Sequence, residues 1–169
     1  MLNSLKNPMV FLLTSILVLS LVPFSTFVAA IPLIENQWEL INTEVGAISG
    51  VYFLGYVLGA ILLVPMSDKY STKNTFFFAV CVSSFSHLAF SIFANGLFSA
   101  LLLRFISGAS FSAIYVIGQK IIGQNISAEL RGSSIGLYVT GFYAGGGLSL
   151  LLAGYLLLIL SWETVYLLV

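Results

Sequence analysis

Long apolar runs alternate with short polar breaks along the whole chain. The runs cover residues 9–32, 45–66, 75–94, 97–119 and 133–160. The breaks between them read "LIENQWELINTE", "SDKYSTKN", "NG" and "KIIGQNISAELRG". Each run reaches the roughly 20 apolar residues that a helix needs to cross a bilayer. The pattern predicts an all-α, polytopic membrane helical bundle with five transmembrane helices, over residues 1–169 as one unit. A sixth apolar run opens at "SWETVYLLV" and stops at the last residue. Residues 164–169 are far too short to span, so the chain reads as a fragment of a longer protein.

Local signals mark the helix ends. Asn42 or Thr43 is expected to cap the second span, with Glu44 at its positive end. Asn95–Gly96 predicts a tight turn between antiparallel helices.

Composition supports the membrane assignment. Hydrophobic residues make up 59% of the chain, charged residues 7%, and mean hydropathy is +1.08. A water-soluble domain carries about a quarter charged residues. Net charge is zero, which argues against a nucleic-acid partner. Cys81 is the single cysteine, so no disulfide framework or zinc cluster is expected, and no cofactor. The start of the chain, with Lys6 and a later "FVAA", resembles a secretory signal, but its apolar run is too long for one.

Charge placement predicts orientation. Lys6, Lys69, Lys73, Lys120 and Arg131 fall at the N-terminus and in the breaks after spans two and four. The breaks after spans one, three and five contain neither Lys nor Arg. The positive-inside rule then puts the N-terminus in the cytoplasm, in a plasma (inner) membrane protein. "NIS" at 125–127 matches a glycosylation acceptor but falls inside, so it reads as a chance match.

Small residues recur at helical spacing in the fifth span: Gly136, Thr140 and Ala144, then Gly141, Gly145 and Ser149. Such stripes let helices approach closely in lipid. Gly145, Gly146 and Gly147 in succession also permit a bend. Close packing and a hinge are both open readings. The second span repeats the theme with Gly46/Gly50 and Gly55/Gly59.

Arg104 interrupts an otherwise apolar run, "SALLLRFISGASFSAIYVIG". A mid-helix arginine costs about 2.5–3.5 kcal/mol on insertion scales. Each neighbouring Leu, Ile or Phe offsets about 0.3–0.6 kcal/mol, so the span still inserts. Arg104 lies on the order of 10 Å deep at helical rise, too deep for snorkelling. Two readings stand: a structural arginine bonded to backbone carbonyls, or a charge facing a water-filled path. His87 is as far from the Asn95–Gly96 turn as Arg104, so both are expected at one membrane level. A hydrogen-bonded core histidine and a proton relay are its two readings. The five spans contain no Asp or Glu, and no nucleophile elbow, zinc motif or phosphate loop occurs, so the chain is not expected to be an enzyme.

In order and spacing, these pieces resemble the N-terminal half of a major facilitator superfamily (MFS) transporter. "GYVLGAILLVPMSDKYSTKN" resembles the family's G-x-L-A-D-R-x-G-R-R loop through Asp68, Lys69 and Lys73. "RFISG" matches R-x-x-x-G through Arg104 and Gly108. "GFYAGG" resembles G-P-x-x-G-G through Gly141, Gly145 and Gly146, with Phe142 in place of proline. "SWETVY" stands where the family often has G-W-R-x-x-F, with Glu163 in place of arginine. The resemblance implies alternating access of two six-helix bundles around a midplane site, the second supplied by a missing C-terminal half. Asp68, Lys69 and Lys73 would form a cytoplasmic gate, and Arg104, with Gly108 and His87 nearby, would line the path.

The function expected is secondary active transport of a small solute, with Arg104 and the lack of acids favouring an anion. The competing reading is a non-transporting assembly or receptor subunit of similar build, and an integral-membrane enzyme is a distant third.

Overall fold

The computed structural model describes residues 7–168; Lys6, part of the charge argument above, lies outside them. The described residues form six helices and no strand: α1 (Pro8–Gln37), α2 (Asn42–Lys69), α3 (Thr72–Phe93), α4 (Leu97–Asn125), α5 (Ala128–Leu156) and α6 (Trp162–Leu168). Five are long and apolar enough to cross a membrane, and α6 is a short sixth.

The first three helices begin where a side chain satisfies free backbone N–H groups. The Asn7 carboxamide oxygen accepts from Met9 and Val10, with Pro8 in the first turn, where its missing N–H costs nothing. Ser71 accepts from the Asn74 N–H at the start of α3. At α2 the expected cap is different: the N-cap is Ile41, and the Glu44 carboxylate reaches back to accept its N–H at 3.0 Å. Neither Asn42 nor Thr43 caps the helix, because both already lie inside its first turn.

Helices run past the apolar runs into the polar breaks. Ser67, Asp68 and Lys69 belong to the last turn of α2, and Lys73 to the first turn of α3, leaving Tyr70 and Ser71 between them. Lys120 lies on α4, which continues to Asn125. Charged side chains are compatible with a helix that has left the bilayer, and the hydropathy boundary marks the membrane rather than the helix end.

The helices associate chiefly as α2 with α4, α1 with α5, and α3 with α4. At the α2–α4 crossing a Cβ on Gly108 would come 2.0 Å from the Tyr52 carbonyl oxygen, and one on Gly59 would come 2.4 Å from that of Ala109. Only glycine permits that approach. Gly141 and Gly145 face α1 less tightly, a Cβ on Gly141 meeting the Thr14 side-chain methyl at 2.5 Å and one on Gly145 meeting Val18 Cα at 3.1 Å. Two serines reinforce this pair, Ser25 bonding the Gly146 carbonyl and Ser149 that of Leu21. The helix α5 runs unbroken through Gly145, Gly146 and Gly147. By contrast, Gly46 and Gly50 meet nothing, although their spacing is the same as that of Gly55 and Gly59.

The bundle is polar at two ends. Lys120 of α4 pairs with Asp68 and bonds Ser67 at 2.9 Å, which brings the α2–α3 turn to the α4–α5 turn. Lys69, Lys73 and Arg131 lie in the same two corners. At the opposite end the Trp162 indole donates to the Gln37 side-chain oxygen Oε1 at 2.6 Å, and the Gln37 side-chain Nε2 donates to the Glu163 carboxylate at 3.1 Å. Ser91 of α3 bonds the Glu163 backbone carbonyl at 2.8 Å, so α1, α3 and α6 are tied at that end.

Candidate functional site

Arg104 sits two turns into α4, the most enclosed of the long helices, and is only 1% exposed. Its guanidinium carbon stands 4.2 Å from the centre of the Phe27 ring, 4.5 Å from that of Tyr52 and 5.4 Å from that of Phe24. These rings come from α1 and α2. Gly108, one turn along α4, brings Tyr52 there by letting the α2 backbone touch α4. Gly108 and Ser112 lie in that helix contact and not on an open path.

The rings compensate for part of the buried charge. A desolvated cation–π contact is worth about 2 kcal/mol, so one or two of them offset the roughly 2.5–3.5 kcal/mol insertion cost. They do not satisfy hydrogen-bond donors. Arg104 Nε and Nη1 are buried without a partner, and a buried unmade bond costs about 1–3 kcal/mol or more when the group is charged. No carboxylate answers them: Glu35, Glu44, Asp68, Glu129 and Glu163 lie close to helix ends and Glu39 in a turn. Neither Nε nor Nη1 of Arg104 reaches a backbone carbonyl.

His87 and Arg104 are at one level, fixed by the Ser86 hydroxyl, which bonds the Leu103 carbonyl at 2.7 Å. His87 is 6% exposed and its Nε2 has no partner. It packs against Tyr166, whose ring lies 6.4 Å away and whose hydroxyl lies beside the Arg104 guanidinium. Both line a recess of about 450 Å³ between α1, α3 and α6, together with Ser83 and Ser84.

On the other side of Arg104 lies a groove of about 200 Å³ formed by α1, α2, α4 and α5. Phe24, Tyr52, Tyr56, Phe111, Tyr115 and Phe142 line it. Phe24 and Tyr52 are therefore shared: both lie against the guanidinium and both line the groove. Sequence inspection did not single these rings out. A signal was present, because Phe24/Phe27, Tyr52/Tyr56, Phe111/Tyr115 and Tyr138/Phe142 are aromatic pairs three or four residues apart, hence on single helix faces. Among the described residues no three His, Cys, Asp or Glu side chains come together.

The pattern of the family described as Major Facilitator Superfamily matches residues 13–169. This chain belongs to the Major Facilitator Superfamily. Among curated relatives, the MFS-type transporter atr4 of Stereocaulon alpinum is 30% identical over 78% of this chain and 24% of its own length. The hexuronate transporter of Bacillus subtilis (strain 168) is 27% identical over 97% of this chain and 39% of its own length. The MFS-type transporter oryF of Aspergillus oryzae is 33% identical over 71% of this chain and 25% of its own length. The chain thus spans between about a quarter and two fifths of these relatives. It is an integral membrane protein of a family that carries small solutes.

Proposed function

We propose that these helices form one half of a secondary transporter that moves a small anionic solute by alternating access. The groove between α1, α2, α4 and α5 is one wall of the path, and the second wall comes from a partner bundle. The observation that carries this reading is Arg104. It is a buried cation with two unpaired N–H groups, one side chain below the groove, with no acid near it. A carboxylate brought to that level would give one of these donors a charged acceptor. The name of the hexuronate transporter, a relative along nearly the whole chain, fits an acidic solute.

Orientation and gating complete the proposal. The end carrying Lys69, Lys73, Lys120 and Arg131 faces the cytoplasm of a plasma (inner) membrane protein. Asp68, Lys69 and Lys73 act there as a gate, with Lys120 paired to Asp68. A groove with one wall cannot alternate, so the 169-residue chain carries no flux by itself.

Uptake of a radiolabelled carboxylate by the intact transporter in liposomes tests the reading. Arg104→Ala should abolish uptake while insertion is kept, because removing a charge eases insertion. Arg104→Lys should retain little, since an ammonium lacks the planar fork. Normal transport by Arg104→Ala, with lowered folded yield, would make Arg104 a structural element and overturn the proposal.

A further inference from the structure

The groove wall has a chemistry of its own, and it narrows the solute class beyond "anion". Its rings form a connected series. Phe24 and Tyr52 lie 4.8 Å apart, Tyr52 and Phe111 6.3 Å, Phe111 and Phe142 6.2 Å, and Phe142 and Tyr115 5.3 Å, centre to centre. The series begins at the two rings that touch Arg104 and runs away from it across α4 to α5. The positive charge of Arg104 lies beneath the rings at one end, and the surface itself is apolar, built of rings tilted 38–61° to one another. Its polar side-chain atoms are the phenol oxygens of Tyr52, Tyr56 and Tyr115; no amide, acid or base lines it.

We infer that the solute is a monocarboxylate with a flat, apolar body, its carboxylate directed to Arg104 and its body lying along Tyr52, Phe111 and Phe142. The inference rests on the transporter reading above and deepens it. A dicarboxylate would leave one charge on this wall without a partner. A sugar acid would bring several hydroxyls to a wall with few groups to answer them. An aromatic or similarly planar body meets ring faces and edges in the offset and edge-on arrangements that such rings prefer. The occupant is thus set by charge complementarity at one end and by ring contact along the other.

The test is competition binding on the purified intact transporter, with benzoate as probe and benzamide, glucuronate and succinate as comparators. Benzoate should bind about tenfold or more tighter than each of the three. Phe142→Leu should weaken benzoate by about two- to tenfold and glucuronate by less, since one ring contact is lost. Tyr115→Ala, at the same end of the series, should repeat the pattern and guards against a folding defect in one variant. Arg104→Gln should remove benzoate binding and leave benzamide unchanged. Glucuronate or succinate binding as tightly as benzoate, or equal losses for benzoate and glucuronate in both groove variants, would overturn the inference. If Arg104→Gln still removes carboxylate binding in that case, the anion-transport reading stands alone. Benzoate binding that survives Arg104→Gln, or benzamide equalling benzoate, would overturn both.

Discussion

Gly108 lies so close under Tyr52 that an added Cβ would meet the Tyr52 carbonyl oxygen at 2.0 Å. The same Tyr52 lays its ring 4.5 Å from Arg104. One backbone contact thus places the ring that covers the buried charge, and helix packing and the candidate site are not separable here.

Glycines in this chain should therefore divide into two classes when replaced by alanine. Gly108→Ala and Gly59→Ala force α2 and α4 apart against backbone atoms, at a cost of about 1–3 kcal/mol or more. Gly46→Ala and Gly50→Ala meet nothing and remove a poor helix former, so they should be neutral or stabilising by up to about 1 kcal/mol. Thermal unfolding in detergent separates the classes, and similar melting temperatures for Gly108→Ala and Gly50→Ala would refute the division.

Accessibility labelling tests the orientation. With Cys81 replaced by serine, Asn42→Cys should react with a membrane-impermeant maleimide in intact cells, and Asn74→Cys only after permeabilisation. Both positions are exposed, and neither side chain makes a cap. The motive is the collection of Lys69, Lys73, Lys120 and Arg131 at the α2–α3 and α4–α5 corners. Labelling of Asn74→Cys from outside would reverse the topology.

The fold was legible in the sequence to different depths. Spans were plain because bilayer thickness imposes a length on apolar runs. The shared level of His87 and Arg104 followed from a tight antiparallel turn, and Ser86 on Leu103 shows it. Rotation about each helix axis was not legible. In lipid both the outer and the inner face are apolar, so the amphipathic stripe that orients a soluble helix is weak. Small-residue stripes are the remaining signal, and they over-predict: Gly55 and Gly59 pack, while Gly46 and Gly50 do not. The rings around Arg104 come from 52 to 80 positions away, at Tyr52, Phe27 and Phe24. Nothing local ties them to it. Lys120 read as a loop charge for the same reason, its partner Asp68 being 52 residues distant.

The Asp68–Lys120 pair should contribute little to stability. Asp68 is 70% exposed at its side chain, and exposed pairs are worth about 0–1 kcal/mol. A double-mutant cycle with Asp68→Asn and Lys120→Met should give a coupling below about 1 kcal/mol that shrinks at high salt. Transport should respond more strongly than stability, because the pair joins two corners of the proposed gate. A coupling of several kcal/mol, insensitive to salt, would contradict this.

At the other end, Gln37 answers Trp162 and Glu163 at once. Gln37→Ala leaves the part-buried indole N–H without its acceptor, at a cost of about 1–3 kcal/mol. Gln37→Glu keeps an acceptor for the indole but sets a carboxylate against Glu163. Both should lower the melting temperature. Tryptophan emission should move to the red in Gln37→Ala as the α6 contact loosens; an unchanged spectrum and melting temperature would remove Gln37 from the list of fold-holding contacts.

The decisive energetic test concerns Arg104 and Phe27, 4.2 Å apart. If the rings compensate for a charge that is kept for transport, Phe27 should matter more to the fold when Arg104 is present than when it is not. Phe27→Leu alone removes the nearest ring face and leaves a desolvated cation, adding the loss of a contact worth about 2 kcal/mol to the cost of a smaller core side chain. In an Arg104→Met background the same change should cost only the packing part, giving a coupling of about 1–2 kcal/mol. Arg104→Met by itself should leave the fold as stable as before or more so, because two buried unpaired N–H groups disappear and an apolar chain of similar length fills the space. Unfolding curves for the four proteins in one detergent supply the cycle. Zero coupling would mean that the ring contacts do not compensate for the charge. Arg104→Met markedly less stable than the parent would mean that the charge itself holds the bundle, and the case for its role in transport would lose its physical basis.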